Sequence, residues 1–83
     1  MRKYFYTGET SFLLKHNYKY WSSCKINYYS KSVSYTSPDN KTRTTLDCYI
    51  NLKTKEITFS GNMALKKYFD KELEGKMIER EVD

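Results

Sequence analysis

The apolar residues of this chain change period once, between Arg43 and Lys76, and that change restricts the fold more than any other feature. From Thr44 the even positions Thr44, Leu46, Cys48, Ile50 and Leu52 are mostly apolar, whereas Arg43, Thr45, Asp47, Tyr49, Asn51 and Lys53 are mostly polar. A period of two turns one face of a strand inward and the other to water. Lys53, Thr54 and Lys55 interrupt the pattern and Ile57 and Phe59 resume it, which predicts an antiparallel hairpin with a short polar loop. Ser60, Gly61 and Asn62 follow, two of them helix-capping types. Leu65, Phe69 and Leu73 then recur every four residues, with Tyr68 alongside and Lys66, Lys67, Asp70, Lys71, Glu72 and Glu74 opposite. This spacing predicts an amphipathic helix from about Asn62 to Glu74 whose stripe covers the hairpin.

Upstream, Lys3 to Thr7 is β-prone and precedes Gly8, and Thr10 is placed to cap a short helical turn through Leu14, a run that equally fits a buried strand. From Tyr18 the alternation puts Tyr18, Tyr20, Ser22, Cys24, Ile26 and Tyr28 inward and Lys19, Trp21, Ser23, Lys25, Asn27 and Tyr29 outward. The apolar register moves to Val33 and Tyr35, which calls for a bulge or bend near Tyr28 and Tyr29. Ser37, Pro38, Asp39 and Asn40 are turn chemistry. After Gly75, the residues Met77, Ile78 and Val82 suit a frayed extension or a short added strand. The expectation is one α+β domain over residues 1–83, a small antiparallel sheet of three to five strands packed on one C-terminal amphipathic helix.

At this length about 60 to 65% of the unfolded surface can be buried, enough for one core and no second domain. Hydrophobic residues make up 39% and charged residues 30%, which rules against both a membrane span and disorder. Phe12, Leu13 and Leu14 are too short a run for a secretory segment, so a cytoplasmic location is expected. Cys24 and Cys48 then read as small core residues on inward registers.

Several chemistries fall away. His16 is the only histidine and cannot by itself supply the base and ligands of a triad or a zinc site. Gly8, Gly61 and Gly75 are too dispersed for a phosphate-cradling loop. The acidic residues Glu72, Glu74, Glu79, Glu81 and Asp83 read as a solvated face. No catalytic residue, metal or cofactor is expected.

Residues 1–55 hold ten Lys or Arg against three Asp or Glu, a formal +7, while residues 56–83 hold five against seven, a formal −2. The positive charge therefore belongs to the expected sheet. Lys19, Lys25, Lys31, Arg43, Lys53 and Lys55 are expected on or beside its solvent face, with Trp21, Tyr29 and Tyr49 among them. Basic groups neutralise phosphates and aromatic rings stack on bases, so the pattern points to a non-enzymatic module for a polyanion, foremost nucleic acid. Nine tyrosines equally suit a protein-docking inhibitor or adaptor of the phage or mobile-element type, acting on a nucleic-acid-handling complex. A third reading is a metal-independent ribonuclease using Arg43, Tyr49 and Lys25.

Overall fold

The computed structural model describes residues 1–23 and 25–82; the core position expected for Cys24 lies outside them. The strands are β1 (Arg2–Tyr6), β2 (Lys19–Ser22), β3 (Asn27–Thr36), β4 (Arg43–Asn51), β5 (Glu56–Gly61) and β6 (Met77–Glu81). They form one antiparallel sheet in the order β2-β3-β4-β5-β1-β6. Helix α1 (Thr10–Lys15) follows β1, and a 3-10 turn (Met63–Leu65) leads into α2 (Lys66–Glu72). Among the described residues no helix is long and apolar enough to cross a membrane.

The expected sheet of three to five strands on a single helix is therefore corrected to six strands with two short helices. The β4–β5 hairpin lies where the alternation put it, with Cys48 opposite Phe59 and Ile50 opposite Ile57. The count fell short at the other side of the sheet, where the β-prone run at Lys3 to Thr7 and the segment after Gly75 are both full members and the chain's two ends pair with each other. β1 inserts between β5 and β6, with Tyr4 facing Ile57 on one side and Glu79 on the other. Such long-range pairing leaves no periodic trace in a single sequence.

The helix is also shorter than its pattern. Asn62 Oδ1 accepts from the Ala64 N–H at 2.9 Å, as a cap should, but the first turn is 3-10 and α2 ends at Glu72. The Lys76 N–H closes back on the Leu73 carbonyl at 2.8 Å, with Gly75 at a positive φ of 78° between them. At the helix start Gly61 is required twice over. Its φ is 124°, and a Cβ there would meet the Thr45 carbonyl oxygen at 2.5 Å. Thr10 is not the cap of α1; that position is Glu9.

Both helices lie on one face. Leu13, Leu65, Phe69 and Leu73 form a single buried cluster with Tyr6, Tyr18, Tyr29, Leu46, Cys48, Ile50 and Ile57. The register places Tyr6, Tyr29, Leu46, Cys48, Ile50 and Ile57 on the same side of the sheet. Among the described residues the opposite side carries no helix, and this open face is where the exposed, chemically varied side chains of β2 to β5 collect.

Candidate functional site on the open face

The chain reverses between Ser22 and Asn27, and this reversal sets which side chains the open face presents. Ser23 N–H donates to the Ile26 carbonyl at 2.9 Å, and the Ser23 hydroxyl accepts from the Ile26 N–H at 3.2 Å. A tight turn thus replaces the bulge or bend expected near Tyr28 and Tyr29. Because one residue of register swaps every side chain between faces, β3 directs Tyr29, Lys31 and Val33 toward the helices and Tyr28, Ser30 and Ser32 outward.

Two proposed contact residues are corrected by this register. Tyr29 is buried at 8% exposure and packs edge-on against Tyr20, ring centroids 5.7 Å apart. Lys31 is half-buried, its ammonium 2.6 Å from Glu72 Oε2 and 5.2 Å from the centre of the Tyr18 ring. Glu72 is accordingly part of the covered face and not of a solvated acidic one.

The remaining candidates divide by position. Lys19, Trp21, Arg43 and Tyr49 sit on the open face. Lys25 lies in the β2–β3 turn, and Lys53 and Lys55 in the β4–β5 turn. Lys55 is half-buried, adopts a φ of 68°, and its carbonyl accepts from the Tyr6 N–H at 2.8 Å, so its backbone is structural. Arg43 pairs with Thr36 at the far end of β4. Six residues of strand separate it from Tyr49, about 20 Å. The ribonuclease trio of Arg43, Tyr49 and Lys25 therefore does not converge on one reacting group.

What the fold does bring together is a group of rings on three neighbouring strands. Trp21 on β2 stands opposite Tyr28 on β3, and the Tyr28 ring meets the Tyr49 ring of β4 at 5.7 Å and 67°. Lys19 stands opposite Ser30, which in turn faces Tyr49, so Lys19 and Tyr49 share one cross-strand row and Trp21 and Tyr28 the next. Beside the rings runs a groove of about 410 Å³ lined by Ser23, Ile26, Tyr28, Tyr49, Asn51, Glu56 and Thr58. A second hollow of about 310 Å³ shares Ile26 and Asn51 with it and is flanked by Lys25 and Lys53. The rings thus continue into a concave surface with two lysines on its lip.

The polar groups here are partly committed. Glu56, the acid in the groove, is held 3.2 Å from the Lys3 ammonium. Asn51 Oδ1 accepts from the Lys53 and Thr54 N–H groups and fixes the turn that carries Lys53. The Tyr49 phenol is raised from its ordinary value, first by partial burial, then by Asp47 and Tyr28. It stays neutral at physiological pH, a hydrogen-bond donor on an apolar ring.

Tyr28 is the residue that sequence reasoning missed. The signal was present: the inward positions Val33 and Tyr35, extended back by twos, reach Tyr29 and leave Tyr28 outside. No protein-family model, curated protein or solved structure matches this chain.

Proposed function

We propose that this chain is a small binding module that holds single-stranded nucleic acid across the open face of its sheet. The observation that carries the reading is the Tyr28–Tyr49 ring pair on the open face, with Trp21 opposite Tyr28, Lys19 in the same cross-strand row as Tyr49, and Lys25 and Lys53 lining the adjoining hollow. Unpaired bases offer π-faces that stack on such rings without regard to sequence, and lysines at the margins neutralise the backbone. A duplex hides those faces, so a ring platform favours the single strand. The formal net charge of +5 draws any polyanion to the surface.

Trp21 is the only tryptophan in the chain, so its fluorescence reports on the platform directly. Titration with short labelled oligothymidylate, oligouridylate and duplex DNA over a salt series tests the proposal. The expected result is micromolar binding of single strands, quenching of Trp21, and a steep loss of affinity as salt rises. Equal affinity for duplex, or binding without quenching, would remove the rings from the site. No binding of either form would transfer the surface to the protein-docking reading.

A further inference from the structure

The edge of the sheet beside β3 is only partly covered by β2. β3 runs from Asn27 to Thr36, yet β2 pairs with only its first four residues, ending with Lys19 opposite Ser30. The chain enters β2 from α1 through Asn17, whose left-handed φ of 69° swings it off the strand line. Ser32 to Thr36 consequently have β4 on one side and, among the described residues, no strand on the other.

Backbone groups of a strand alternate sides. Asn27 and Ser37 direct theirs toward β4 and its loop, as the Leu52–Asn27 and Ser37–Thr42 bonds establish. Even positions of β3 therefore point the other way, and the N–H and C=O groups of Ser32, Ser34 and Thr36 form an open ladder. No lysine, proline or bulge interrupts it over these five residues, although such devices normally protect a free edge.

We propose that a second copy of this chain occupies that edge, its β3 pairing antiparallel with this one about a two-fold axis through Ser34 and normal to the sheet. In this register Ser34 meets Ser34 of the other copy and Ser32 meets Thr36, all outward-pointing pairs that exchange their bonds. On the covered face Val33 then lies opposite Tyr35, a β-branched and aromatic pairing of the favourable kind. Tyr35 is 49% exposed in the single chain. The lengths also agree. The partner's strand ends at Thr36, opposite Ser32, where Asn17, Lys19, Trp21, Ser30, Lys31 and Ser32 line a notch of about 390 Å³ at the end of β2. The product is a twelve-stranded sheet with both open faces on the same side. This inference does not depend on what the open face binds.

Sedimentation velocity from micromolar to several hundred micromolar tests it, with dimer expected at the upper end. Copies of the same net charge repel, so dimer increases with salt, opposite to the dependence expected for nucleic acid. Ser34→Cys places two thiols in a directly opposed pair, about 5.5 Å between Cα atoms, within disulfide reach. In a glutathione buffer it is expected to give covalent dimer far faster than Thr58→Cys or the parent chain. Ser34→Pro removes an N–H that β4 does not use and is expected to leave a folded monomer. A parent chain monomeric throughout, Ser34→Cys linking no faster than Thr58→Cys, or a folded Ser34→Pro variant that still dimerises would each overturn the proposal. If the proline variant fails to fold, the cysteine comparison decides alone.

Discussion

Lys31 of β3 donates to Glu72 of α2 at 2.6 Å, so a lysine expected on the solvent face instead joins the sheet to its helical layer. His16 Nδ1 lies 3.9 Å from the same carboxylate oxygen, and the His16 ring stacks on Phe12 at 4.0 Å. Both partners of the lysine pair retain about a fifth of their side-chain exposure, at 20% and 22%. Water screens the pair in part, and its worth is below that of a fully buried one.

Lys31→Ala is expected to leave the Glu72 carboxylate half-buried without its main cation and to cost about 1 to 3 kcal/mol. Urea denaturation measures this, and adding Glu72→Gln should recover part of the loss. Affinity for single-stranded nucleic acid, measured on the folded fraction, should not change, because the ammonium lies beneath the sheet. A drop in affinity comparable to that of Lys19→Gln would return Lys31 to the binding surface.

Lys55 stands in the left-handed region without being glycine or asparagine, at a φ of 68°. Its N–H donates to the Asn51 carbonyl at 2.8 Å, and its carbonyl receives the Tyr6 N–H, so β1 and the β4–β5 turn hold it there together. A residue with a Cβ is disfavoured in this region by about 1 to 2 kcal/mol, part of which glycine gives back as extra freedom in the unfolded chain. Lys55→Gly is therefore expected to stabilise by up to about 1 kcal/mol, seen as a higher Tm by differential scanning calorimetry. A lower Tm would mean that the lysine side chain contributes more than its backbone costs.

How far the fold could be read depended on how local its determinants are. Leu46, Cys48, Ile50, Ile57 and Phe59 carry their register in their own spacing, as do Leu65, Phe69 and Leu73. The β2–β3 turn does not announce itself, since Ser22 to Asn27 contains neither glycine nor proline. The Ser23 hydroxyl supplies the turn bonds instead, and missing it exchanged Tyr28 for Tyr29 on the binding face. Trp21, Lys19 and Tyr49 were legible as outward residues; that Tyr28 stands opposite Trp21 and against the Tyr49 ring became visible only through the pairing of three strands.

The Cys48 thiol is fully buried and pushed up to about 12 from its ordinary 9.0, chiefly by burial, then by Glu72, against a smaller opposing effect of Lys31. At pH 8 the thiolate fraction is on the order of one in ten thousand. In a Cys24→Ser background, iodoacetamide should leave Cys48 unmodified in the native protein and label it fully in denaturant. The same shift links to stability. Below pH 9 the thiol is neutral folded and unfolded, and nothing changes. Above it the unfolded chain releases a proton that the folded chain retains, so stability falls by at most about 1.4 kcal/mol per pH unit until about pH 12. Rapid native labelling at pH 8 would show that the core around Cys48 opens freely.

The binding face makes a separable prediction for rings and for lysines. Tyr28 and Tyr49 each present one ring to the open face and touch each other, so removing either also loosens the second. Tyr28→Ala and Tyr49→Ala are each expected to weaken single-strand binding by about 1 to 3 kcal/mol, with the double variant losing less than the sum. Tyr49→Phe keeps the ring and should bind nearly as well as the parent. Lys25→Gln and Lys53→Gln act on the backbone of the bound strand, so each should lower the slope of log affinity against log salt by about 0.7 while leaving the Trp21 quench intact. Arg43→Gln, about 20 Å along β4 from Tyr49, should leave the affinity for a tetranucleotide unchanged. Fluorescence titrations of the seven variants at two salt concentrations separate the effects. A salt slope that falls with Arg43→Gln but not with Lys25→Gln or Lys53→Gln would move the site to the β3–β4 end of the sheet, away from the rings.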